Sequence, residues 1–78
     1  MILKTVEKQL DTNNKVTTWY DGIQSVTQCI EKIDGQTYKM LYMSFEGERS
    51  DIGLPVREKM YLCNNNGKTI ETIYPVER

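Results

Sequence analysis

The sequence has no histidine. The side chain that most often serves as a general base near neutral pH is therefore missing, and a Ser-His or Cys-His nucleophile cannot be built within the chain. Its two cysteines, Cys29 and Cys63, are far apart and form no CxxC pair. A zinc site, which needs clustered Cys and His, is not expected, and both thiols read as small buried hydrophobes. Neither GxGxxG nor GxxxxGK[ST] occurs, so no phosphate-binding signature is present. No apolar run approaches the ~18 residues that cross a bilayer, and Met1-Ile2-Leu3-Lys4 does not resemble a signal peptide. No membrane association is expected, and the cytoplasm is the default compartment. Ten basic and eleven acidic residues give a net charge of −1. The basic excess of many nucleic-acid binders is absent, although a neutral total can conceal a local patch.

What is present fits a single small domain over residues 1–78. At this length a chain buries roughly 60–65% of its unfolded surface. The core is therefore thin, and a homodimer or another partner would add stability.

Residues 2–10 and Val16 to Tyr20 read as two strands around the polar turn Asp11-Thr12-Asn13-Asn14. Residues 21–33 carry Ile23, Val26, Ile30 and Ile33 at helical spacing, with Asp21 and Gln24 in capping-box positions and Gly35 as a C-terminal stop. That spacing predicts a helix. The competing reading is a strand ending in an Asp34-Gly35 hairpin turn. It meets a difficulty, because simple alternation puts Val26 and Ile30 on one face but Ile23, Cys29 and Ile33 on the other. Thr37 to Phe45 is the strongest strand and is apolar on both faces, as expected inside a sheet. Residues 46–55, broken by Gly47, Gly53 and Pro55, read as a long loop. Val56 to Cys63 and Lys68 to Tyr74 read as a hairpin about a type I′ turn at Asn66-Gly67, with a frayed tail from Val76 to Arg78. The expected fold class is thus α+β, in the order β-β-α-β-β-β. It would be a mostly antiparallel sheet of about five strands with one helix packed on one face. An all-β six-stranded meander or small barrel is the alternative.

The loop carboxylates Glu46, Glu48 and Asp51 are oxygen ligands for a hard cation, but their spacing is not that of an EF-hand, and Arg49 offers them a local ion partner. A solvated, self-neutralising loop is the simpler reading. No catalytic residue, metal or cofactor is assigned, and the chain is not expected to be an enzyme. A carboxylate-dependent enzyme is the outside alternative. The aromatic residues lie in or beside strands. Trp19, Tyr20, Tyr42 and Tyr61, together with Arg49 from the loop, are the candidate partner-binding residues. Trp, Tyr and Arg dominate protein interfaces, so a protein partner is the first expectation. Aromatics standing among lysines also stack bases and hold a phosphate backbone, so a small nucleic-acid-binding protein is the alternative. The plainest role for the same rings is to complete the core.

Overall fold

The computed structural model describes residues 1–47 and 49–76; the acidic loop position Glu48 and the tail positions Glu77 and Arg78 lie outside the described residues. The described chain is all β and contains no helix. Its strands are β1 (Ile2–Lys8), β2 (Lys15–Tyr20), β3 (Ile23–Ile33), β4 (Gln36–Phe45), β5 (Ile52–Pro55), β6 (Met60–Cys63) and β7 (Thr69–Ile73). They form a 4-stranded sheet in the order β2-β1-β6-β7 and a 3-stranded sheet in the order β3-β4-β5. All pairings are antiparallel.

The α+β expectation is overturned at residues 21–33, where Ile23–Ile33 is β3, paired along its length with β4. The Asp34-Gly35 turn decides the matter. Both residues have positive φ, 50° and 81°, as a two-residue type I′ hairpin requires. A β-bulge removes the difficulty with alternation for Ile23, while Cys29 and Ile33 stay on the outer face. Ile23 pairs with Phe45 and Ser25 with Ser44, so Gln24 has no partner. A bulge absorbs one residue without advancing the pleat. Ile23 and Val26, which simple alternation would part, therefore both face the interior. The helix-like spacing of Ile23, Val26 and Ile30 is the spacing of a strand with one residue added, while Ile33 falls on the opposite face.

The loop at 46–55 is also shorter than its glycine and proline content suggests. Ile52–Pro55 is β5, an edge strand paired with Met43 back to Met40. Proline is tolerated at an edge because its missing N–H interrupts no ladder. In the last hairpin, Gly67 N–H donates to Asn64 O (3.0 Å), and Gly67 alone in the turn has positive φ. The turn is therefore a four-residue one closed by a left-handed glycine, not a type I′ pair at Asn66-Gly67.

The chain passes from one sheet to the other at Asp21-Gly22. Here Ile23 N–H donates to Met1 O and Met1 N donates to Ile23 O, each at 3.1 Å. Glu46 N–H donates to Gly22 O at 3.0 Å. The sheets face one another across Leu3, Met60, Leu62 and Ile73 on one side and Ile23, Leu41, Met43 and Phe45 on the other, with Val56 between. No buried side-chain N or O among the described residues lacks a hydrogen-bond partner.

The register makes a pair of deletions informative. Removing Gln24 leaves Ile23 and Val26 on one face by ordinary alternation. This variant is expected to stay folded, losing no more than about 3 kcal/mol. Removing Thr27, which lies in the regular ladder, slips the half of β3 before it by a residue, which turns Val26 to solvent and Ser25 inward. That variant is expected to lose its cooperative unfolding transition. Urea denaturation followed by circular dichroism distinguishes the two. Equal damage from both deletions would refute the bulge account.

Candidate nucleic-acid interface

The outer face of the 4-stranded sheet is built by lateral pairing. Lys4 on β1 lies opposite Trp19 on β2 and opposite Tyr61 on β6, and Tyr61 in turn lies opposite Thr72 on β7. Directly opposed residues share a face, so these four form one row across the sheet. The Lys4 ammonium stands 5.3 Å from the Trp19 ring centroid and 5.7 Å from that of Tyr61. Both distances are within reach of a cation–π attraction. Trp19 remains 53% exposed.

Alternation along the strands assigns the rest of the face. Ile2, Val6 and Lys8 of β1 and Lys15 and Thr17 of β2 stand with Lys4. The nearest carboxylates in the paired strands, Glu7 and Glu71, have the opposite parity: Glu7 pairs with Val16 and Glu71 with Leu62. The only charged side chains that these strands place on this face are therefore lysines. Lys8 and Lys15 are direct cross-strand partners and both are exposed. Like charges so placed destabilise a hairpin, and nothing within the sheet offsets them. The net charge of −1 thus conceals a face of one sign.

The structure brings only Trp19 and Tyr61 together from the five residues singled out in the sequence. Tyr20 pairs with Leu3, packs against the core, and lines an open cleft of about 270 Å³ between the sheets. Arg49 sits at the corner, where its guanidinium lies 4.3 Å from the Phe45 ring centroid and donates to Asp21 O at 3.1 Å. Tyr42 stands on the outer face of the 3-stranded sheet, away from the lysine row. Residue type alone does not single out Lys4, Lys8 and Lys15 as a group. Lysines at every fourth position of one strand are the signal that the sequence offers, but only the register shows that their neighbours are Trp19 and Lys15.

Tyr42 belongs to a separate cluster. Its hydroxyl donates to Glu31 Oε1 at 2.5 Å, and the Cys29 thiol donates to the same oxygen at 3.6 Å. The hydrogen bond to the Glu31 carboxylate, with partial burial and the carboxylate's charge, pushes the Tyr42 hydroxyl up to about 12. Partial burial, then the hydrogen bond and charge of Glu31, raise the Cys29 thiol. Both shifts disfavour the anionic, nucleophilic forms, so the cluster is poorly suited to covalent catalysis. The Tyr42 ring also covers Gly53 on β5: a Cβ there would stand 2.7 Å from Tyr42 Cε1. Among the described residues no group of three or more Cys, Asp or Glu converges on a metal-sized site, and no helix is long and apolar enough to cross a membrane. No family model matches the chain, and neither does any curated protein or solved structure.

Two measurements test the Glu31 cluster. Cys29 should alkylate with iodoacetamide more slowly than a free cysteine at pH 8, and Glu31→Gln should speed it several-fold. The protonated Tyr42 hydroxyl is favoured by the fold. Its stabilising effect is therefore complete below pH 10, the ordinary tyrosine value, and is lost as pH rises toward about 12. Ultraviolet titration should show one late tyrosine, absent from Glu31→Gln. Gly53→Ala should destabilise by about 1–3 kcal/mol through overpacking against the anchored ring, and Tyr42→Leu in the same chain should relieve part of that loss in urea denaturation.

Proposed function

We propose that this protein binds single-stranded nucleic acid across the outer face of its 4-stranded sheet. The observation that carries the reading is the row Trp19–Lys4–Tyr61, set in a face where the only charges among the described strand residues are Lys4, Lys8 and Lys15. Exposed rings on a strand platform can stack bases without regard to their identity, while adjacent lysines hold the phosphates. A bound backbone would also neutralise the opposed Lys8 and Lys15. A protein partner would equally use Trp19 and Tyr61, but only an anionic one would account for the paired lysines. The protein acts by occupancy, without a chemical step. A cytoplasmic setting suits its two unpaired thiols.

The chain has a single tryptophan, so its fluorescence reports on the proposed site directly. Oligo-dT or oligo-rU at low salt should quench Trp19 emission. Three phosphate contacts correspond to a slope of about −2 in log K against log salt, or roughly a 20-fold loss of affinity between 50 and 200 mM. Trp19→Ala should weaken binding of a labelled oligonucleotide by about 1–3 kcal/mol, at least fivefold. Lys8→Gln with Lys15→Gln should flatten the salt slope and stabilise the free protein slightly. Salt-independent binding, or affinity unchanged in Trp19→Ala, would remove the reading. Protection of the same face only by an acidic protein would replace it with the protein-partner reading.

A further inference from the structure

A second concave site lies away from the lysine row and shares no residue with it. It is a cleft of about 570 Å³ between the start of β4, the segment after β5 and the segment after β7. That volume lies within the usual range for small-ligand sites. Lys39 and Arg57 both line it, and among the described residues no carboxylate does. Among the described residues neither cation forms an ion pair. Lys39 O accepts from Val56 N–H at 2.8 Å, which holds β4 against the residue preceding Arg57 and so brings both cations to one cleft. Lys39 is half-buried, on the inner face of β4, beyond the covered Leu41. Val56, Pro75 and Val76 supply an apolar wall beside these charges. A cation partly withdrawn from water beside apolar surface gains most from an anion that enters with it.

We propose that this cleft binds a phosphorylated small molecule with a planar or apolar body. The phosphate is held between the Lys39 ammonium and the Arg57 guanidinium, and the body lies on Val56, Pro75 and Val76. A guanidinium fork matches two phosphate oxygens, and the ammonium adds a point charge to a third. The site is independent of the proposed nucleic-acid face, so either can fail without the other.

The test is an amide NMR titration of the whole chain with phenyl phosphate, phenol and inorganic phosphate. Phenyl phosphate should shift the amides of Thr37 to Lys39 and of Val56 and Arg57, saturably, binding at least about tenfold more tightly than phenol or inorganic phosphate. Lys39→Gln with Arg57→Gln should weaken phenyl phosphate by about tenfold or more while leaving the remaining spectrum dispersed. Trp19→Ala should leave the titration unchanged. Absence of saturable shifts at the cleft would overturn the proposal. So would inorganic phosphate binding as well as the ester, or affinity retained in the double variant.

Discussion

The two sheets are tied together at the corner from Asp21 to Ile23, the first of two points where the chain passes between them, the second lying between β5 and β6. The chain leaves the 4-stranded sheet at Tyr20 and enters the 3-stranded sheet at Ile23, and it returns between Pro55 and Met60. Backbone bonds to Met1 and Glu46 hold the corner from either side. The unpaired Gln24 immediately beyond the corner lets the strand bend while Ile23 and Val26 both stay inward. Arg49, lying over Phe45 and reaching Asp21 O, closes the same end of the core. The corner and the returning segment with buried Val56 together fix the two apolar faces relative to one another.

The sandwich that results separates its polar chemistry by face. One outer surface carries Lys4, Lys8 and Lys15 with Trp19 and Tyr61. The other carries Tyr42, Glu31 and Cys29, together with Ser25 and Ser44, whose hydroxyls are hydrogen-bonded across the strands. A small β-sandwich cannot bury both faces of each sheet, so the outer rings are a consequence of size. Their company differs, however. On one face a carboxylate and neighbouring hydroxyls satisfy each other locally. On the other, cations stand opposite rings and opposite one another, with no carboxylate beside them among the described strand residues. An unbalanced face is where an anionic partner gains most, since binding removes a repulsion that the free protein retains.

Local chemistry is legible wherever it requires particular residues. The turn at Asp11 to Asn14, the hairpin signal of Asp34-Gly35, the break after Asn64 and the strand from Thr37 to Phe45 all appear where residue type alone places them. The helix expected at 21–33 fails for a specific reason. A strand with one bulged residue imitates the 3-and-4 spacing of a helix, and only the partner strand shows which residue is skipped. Gly53 and Pro55 read as breakers, yet an edge strand beneath a tyrosine ring accommodates both.

The candidate surface shows the same division. Residue type identifies Trp19 and Tyr61 as exposed-ring candidates, and the absence of histidine removes the common acid–base chemistries at the level of composition. Residue type does not tell that Tyr20, Tyr42 and Arg49 belong elsewhere, or that Lys4 joins the two rings. Side-chain direction along a strand follows from parity, which a sequence supplies. Which strands lie side by side, and in what register, depends on contacts between distant residues. The turn positions, the strands β1, β2, β4 and β7 and the lack of histidine were therefore set by the chain itself, whereas β3, β5 and the late start of β6 were not. The gathering of lysines and aromatic rings on one face was decided only when β1 came to lie between β2 and β6.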